Sequence, residues 1–154
     1  MRPRPSNWSD CSVVPRHISV SSLFSGIKSP NRKDFFKQFS KVEIKSDSIV
    51  VAQGSRPDLF VLSKGSAQCS FFNFIVEKET MYHLQEGDFV GLPEILSGKS
   101  SVFWVKTLSD SSFLHLPRKM VRPAFERYPA LAFSLLHLFS QELNGSLKDA
   151  LQIL

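Results

Sequence analysis

The chain has 154 residues, is 42% hydrophobic with 14 Phe, and carries a formal net charge of +5, a size that buries one core and leaves no room for a second folded domain. That aromatic content excludes a disordered chain, which lacks the apolar surface to offset the entropy of ordering. Seven basic residues (Arg2, Arg4, Arg16, Lys28, Arg32, Lys33, Lys37) outnumber Asp10 and Asp34 in residues 1–40, while residues 41–154 balance twelve cations against twelve anions; the domain itself offers no broad surface to nucleic acid.

Residues 1–22 are rich in Ser, Pro and Arg without a hydrophobic period and predict a disordered basic arm, solvated in the simplest reading, with the folded domain spanning 23–154. The first residues contain no apolar run of the roughly 7 to 15 needed for a secretory signal. From Leu23 to Phe39, the apolar residues Leu23, Phe24, Ile27, Phe35, Phe36 and Phe39 fit two short helices broken at Ser29-Pro30, with Asn31 as a cap.

Seven short segments follow, each closed by a turn: Val42–Ile44, Ile49–Ala52, Leu59–Leu62, Ala67–Ile75, Thr80–Leu84, Val102–Leu108 and Ser112–Leu116. Their spacing predicts an all-β sandwich or barrel. After Pro117, Met120, Val121, Ala124 and Phe125 recur at helical spacing, Tyr128-Pro129 breaks the pattern, and a long helix is predicted from Ala130 to Leu154. That helix carries two apolar stripes, Leu131, Leu135 and Leu138 on one and Leu136, Phe139, Leu143 and Leu147 on the other. One stripe can pack on the barrel and the other needs a partner, so a homodimer is expected.

Cys11 and Cys69 give neither a disulfide framework nor a metal site, and His17, His83, His115 and His137 are too scattered to ligate a metal together. No nucleophile has a neighbouring base and no carboxylates pair at a spacing that suggests acid–base work. We expect no enzyme activity, no metal and no cofactor. The longest apolar runs, such as Phe133–Phe139, fall short of the roughly 20 residues that cross a bilayer, and a cytoplasmic location without membrane contact is expected.

The stretch Glu86 to Ser101, EGDFVGLPEILSGKSS, carries the functional signal. With the turn glycines Gly54 and Gly65, LFVLSKG from Leu59 to Gly65, SVFWVKTLSDSSFLHLPR and Tyr128-Pro129 before the long helix, it resembles the effector domain of the catabolite activator and fumarate–nitrate regulators, from about Leu23 to Leu147. The resemblance implies a mainly β fold, a double-stranded β-helix or jelly-roll-like β-roll, with short N-terminal helices, a small helix near Pro93 to Leu96 and a long dimerising C-terminal helix. It also implies a phosphate cassette in which backbone N–H groups and an Arg hold a cyclic phosphate and a Glu binds the ribose hydroxyl.

The cassette of this chain departs from that pattern. Gly91 matches the glycine, Leu92 stands at the Glu position, and the Arg position falls on Ser101, or on Ser100 with a one-residue slip, followed by Val102. Losing two charged hydrogen bonds, each contributing about 1.5–3 kcal/mol, weakens a cyclic nucleotide roughly a hundredfold to ten-thousandfold. The candidate degenerate ligand site is therefore Gly91, Leu92, Pro93, Glu94, Lys99, Ser100 and Ser101, in which Lys99 and the two serines can present a cation and hydroxyls to another anion. Pro93 suits the first helical turn, and Glu94 is either a displaced ribose ligand or a solvated first-turn carboxylate.

The expected function is a regulatory ligand-sensing module with no DNA-binding domain, an unidentified small-molecule effector and signalling through dimerisation. The alternatives are a ligand-free interaction domain whose pocket is filled by Leu92 and Val102, and the sensor fragment of a larger transcription regulator. Phe71, Phe72, Phe74, Phe103 and Trp104 are expected to be core and barrel surface.

Overall fold

Alternating apolar side chains between residues 40 and 116 build eight antiparallel strands in a computed structural model that describes residues 18–28, 31–73 and 77–140. The strands are β1 (Ser40–Ile44), β2 (Ile49–Val51), β3 (Leu59–Lys64), β4 (Ala67–Asn73), β5 (Lys78–Leu84), β6 (Phe89–Val90), β7 (Trp104–Thr107) and β8 (Ser111–Leu116). They form two four-stranded sheets in the orders β1-β8-β3-β6 and β2-β7-β4-β5. The architecture is the mainly β roll that the resemblance implied.

The first sheet is covered on both faces, and its sequences say so. In β3, Leu59 and Val61 point to the helices while Leu62 points to the second sheet; in β8, Leu116 faces the helices and Phe113 the other sheet. The second sheet has one covered face: Ala67, Cys69, Leu84 and Val105 enter the inter-sheet core, whereas Trp104 and Met81 are outward and exposed. Phe71 meets Phe103 at 5.5 Å in this inner layer, and Phe72 joins the outer surface. Phe74 lies outside the described residues.

Helices close the other side of the first sheet. They are α1 (Val20–Leu23), α2 (Arg32–Phe36), α3 (Leu92–Ser97), α4 (Arg118–Glu126) and α5 (residues 129–140). Asn31 caps α2 by accepting from Asp34 N at 2.9 Å, as its position predicts. Phe35, fully buried, touches Phe36, Phe39, Phe125 and Tyr128 at ring separations of 5.1, 5.5, 5.4 and 6.1 Å. Full burial of such a side chain stabilises by about 1.5–3 kcal/mol. This cluster fixes α2 and α4 to each other.

Three expectations change. The packed domain begins before residue 23: Ile18 is 7% exposed, Phe89 N donates to Ile18 O at 2.9 Å, and Val20 N donates to Gly87 O at 2.7 Å; residues 1–17 of the expected arm lie outside the described residues. The strand expected at Val102 starts at Trp104, because the Ser101 hydroxyl takes both Phe103 N and Phe103 O at 3.0 Å and removes them from the ladder. A strand not expected, β6, sits inside EGDFVG and pairs with Phe60 and Val61.

In α5, Leu131 and Leu135 are buried on the domain, as the first stripe requires. On the second stripe Leu136 is 64% exposed and Phe139 is partly buried. Leu143 and Leu147 lie outside the described residues.

Candidate ligand cavity beneath Gly91

Strand β6 runs into helix α3 through Gly91, whose φ of 93° only glycine adopts at low cost. Space requires it too, since a Cβ there would sit 2.6 Å from Asp58 O. Ile95 N donates to Gly91 O at 3.1 Å and opens the helix; Gly98, at φ 77°, closes it with its N donating to Glu94 O at 2.9 Å. Leu92 and Ile95 anchor this turn in the core, and Pro93 stands in its first turn.

A cavity of about 50 Å³ lies beneath Gly91, between the sheets and α3. Gly91, Leu92, Pro93, Glu94 and Ser101 all line it, so the structure gathers five of the seven candidate residues. Lys99 and Ser100 are exposed and do not reach it; the expected cation is a surface charge, because the turn at Gly98 carries the chain outward. Leu92 does fill the pocket side of the cassette, being fully buried, but Val102 is 49% exposed and fills nothing.

Ser101 is 2% exposed and already occupied. Its hydroxyl donates to Phe103 O and accepts from Phe103 N, its amide donates to Ser55 O at 2.8 Å, and its carbonyl accepts from Gly54 N at 2.7 Å. The residue braces a loop and has little left for a ligand.

The opposite wall comes from residues that motif spacing does not reveal: Cys69, Tyr82 and Val105 from the second sheet, Phe103 from the turn just before β7, and Ile18 from the N-terminal segment. The inward alternation of β4 and β5 is the signal that locates Cys69 and Tyr82. These two side chains share a hydrogen bond. Burial pushes the Cys69 thiol up to about 11, with the nearby Glu94 carboxylate pushing in the same direction against the Tyr82 hydrogen bond. Burial likewise raises Tyr82, helped by Cys69, Glu94 and Asp88. Both groups are neutral at physiological pH.

Electrostatically the cavity is the reverse of a phosphate site. Among the described residues that line it, Glu94 is the one charged side chain, and there is no Lys, Arg or His. Arg118 comes near but serves another purpose: its guanidinium donates to Pro57 O at 3.3 Å and Glu94 O at 3.5 Å, tying α4 to α3. Its amide donates to Asp58 Oδ1 at 2.8 Å.

The model of the cyclic nucleotide-binding domain matches residues 41–128, a span that includes all but the first residue of the eight strands, the Gly91 turn and the small helix after it. The chain belongs to the cyclic nucleotide-binding domain family. Among solved structures, this cyclic nucleotide-binding domain is similar to the catabolite activator protein of Thermus thermophilus, with a TM-score of 0.76 and 18% identity over 86% of this chain and 63% of that one. It is also similar to the regulatory subunit of a cAMP-independent protein kinase A from Trypanosoma brucei, in a triple mutant bound to cAMP in the A site. That match has a TM-score of 0.64 and 18% identity, covering 85% of this chain and 48% of the other.

Among curated proteins it is similar to patatin-like phospholipase domain-containing protein 7 of Mus musculus, 24% identical over 150 residues, or 97% of this chain and 10% of the relative. The chain thus spans about a tenth of the length of the curated relatives it matches. Among the described residues no helix is long and apolar enough to cross a membrane, and no group of His, Cys, Asp and Glu is placed to hold a metal ion.

Proposed function

We propose that this chain is a regulatory, non-enzymatic module of the cyclic nucleotide-binding type in which the nucleotide site is degenerate. The observation that carries this reading is the cavity wall: a carboxylate at Glu94, no cation, and a Ser101 hydroxyl spent on the backbone. An anionic cyclic phosphate entering there meets a like charge in place of a counter-charge, which disfavours it at the short distances of an enclosed site. Volume points the same way, since ligand pockets span about 300–1,000 Å³ and this one about 50 Å³.

The Trypanosoma relative supports the reading through the substitutions its mutant carries: a Glu to Ala, a Thr seven residues later to Arg, and the adjoining Val to Ala. Glu94, Ser101 and Val102 have the same spacing here. In a cAMP-independent protein those three changes accompany bound cAMP, and at the same spacing this chain has Glu, Ser and Val rather than Ala, Arg and Ala. Signal output in our reading runs through α5, whose exposed Phe133 (72%) and Leu136 (64%) offer a seam to a second copy.

Titration of the purified chain with cyclic AMP and cyclic GMP by calorimetry tests the proposal. No saturable binding at micromolar concentrations is expected; submicromolar affinity for either nucleotide would remove the degenerate-site reading.

A second reading is favoured by the 24% identity that runs through nearly the whole chain to a patatin-like phospholipase domain-containing protein. In that reading the module is one regulatory segment of a much longer polypeptide and acts on a lipid hydrolase domain. Co-purification and altered hydrolase activity with and without the segment, in the full-length protein, separate it from a free-standing sensor.

A further inference from the structure

Resting on the degenerate-site reading, we infer that the cavity beneath Gly91 binds a small protonated amine, with Glu94 as its counter-ion. Three observations converge on this class of ligand. The first is a charge with no protein counter-ion: among the described residues the partly buried Glu94 carboxylate forms no salt bridge, and the hydrogen bonds at Glu94 run through its backbone carbonyl to Ser97, Gly98 and Arg118. A carboxylate beside an apolar cavity is stabilised by a cation more than by anything else that fits.

The second is the field of the opposing wall. Cys69 and Tyr82 are held neutral, and both sense the negative charge of Glu94, so an anion entering between them has nothing to offset its desolvation. A cation there gains the carboxylate, and the aromatic side chains of Tyr82 and Phe103 line the same space. The third is size. At about 50 Å³ the cavity is far smaller than the roughly 300–1,000 Å³ of most small-molecule pockets, which suits a short alkylammonium or the ammonium end of a longer chain better than a nucleoside.

The experiment uses the full 154-residue chain and three probes of similar shape: ethylamine, ethanol and acetate, titrated at neutral pH by two-dimensional NMR, with cyclic AMP titrated in parallel. Ethylamine is expected to saturate and to shift the resonances of Tyr82, Leu92 and Val105, while ethanol and acetate do not saturate. Glu94→Gln is expected to weaken ethylamine at least about tenfold, the loss of a single charged hydrogen bond. Because Glu94 is only partly buried, the Glu94→Gln spectrum should otherwise overlay the parent; Glu94→Asp keeps the charge and retains measurable binding. Failure of ethylamine to saturate, equal binding of ethanol, or unchanged affinity in Glu94→Gln would each overturn the inference while leaving the degenerate site in place. Saturation by cyclic AMP would instead overturn the reading beneath it.

Discussion

Asp58 Oδ2 lies 2.8 Å from His115 Nε2, joining the loop before β3 to the end of β8. His115 is in turn stacked on Phe60 at a ring separation of 4.9 Å, and Asp58 Oδ1 accepts from Arg118 N at 2.8 Å. One carboxylate therefore links a loop, a strand and the start of α4.

This link gives the fold an acid limb. Burial pushes the Asp58 carboxyl up, but the hydrogen bonds from His115 and the Arg118 amide, with the charges of those residues, outweigh it and hold the group below the usual carboxylate range. A depressed carboxyl contributes stability that is fully present above its unfolded pKa and is lost as pH falls through the folded value. Its side chain is 42% exposed, so solvent screening keeps the contribution near about 1 kcal/mol. Thermal melts between neutral pH and about pH 3 should show Asp58→Asn less stable than the parent at neutral pH and flatter on acidification; parallel curves would refute this role.

Gly91→Ala should destabilise by about 1–3 kcal/mol, combining a positive φ with a Cβ driven into Asp58 O. Urea unfolding measures it. Gly98→Ala is the control, because the positive φ is present at that position without a neighbour within 4 Å; a smaller loss there separates crowding from backbone strain.

Combining Glu94→Ala, Ser101→Arg and Val102→Ala should confer cyclic AMP binding that the parent lacks. Each recovered charged hydrogen bond contributes about 1.5–3 kcal/mol, or about ten- to a hundredfold in affinity. Ser101→Arg alone should fall short, because Glu94 then pairs with the new cation. Calorimetry on the three forms checks it, and a triple mutant that folds yet binds no nucleotide would count against the residue correspondence.

Leu136→Glu should shift a dimer to monomer in sedimentation velocity with little change in melting temperature, since Leu136 is 64% exposed in one chain and a surface substitution away from the core costs within about 0.5 kcal/mol. An unchanged sedimentation coefficient would place the seam elsewhere.

Cys69 should resist alkylation in the folded chain in a Cys11→Ser background. The thiolate is the nucleophile, and a thiol with a pKa of about 11 that is 4% exposed is almost entirely protonated and out of reach. Labelling with iodoacetamide at neutral pH should follow global unfolding; rapid modification of native protein would show that the cavity opens.

Much of the fold was legible because short apolar segments such as Leu59–Lys64 and Ser111–Leu116 are bounded by turn residues, Ser63-Lys64-Gly65 after the first and Ser109-Asp110 and Pro117 around the second. Contacts between distant residues were not: the pairing of Ile18 with Phe89 joins segments some seventy residues apart, and nothing local announces it. Strand β6 escaped notice because two residues show no period. In the cassette, residue types predicted the missing partners, yet the fate of Lys99, Ser101 and Glu94 depended on how the chain rotates through Gly91 and leaves at Gly98. Spacing does not encode that rotation: Lys99, a candidate cation for the site, lies outward, whereas Glu94 lines the cavity.

The position of Ile18 has a practical corollary. A fluorophore placed on Ser19 or Val20 sits on backbone paired with Gly87 to Phe89, within a side chain's reach of the pocket wall. The segment from Ile18 to Val20 is therefore a reporter site for occupancy of the cavity, and bulky labels meant to be silent belong on the outer face of β5, near Met81, instead.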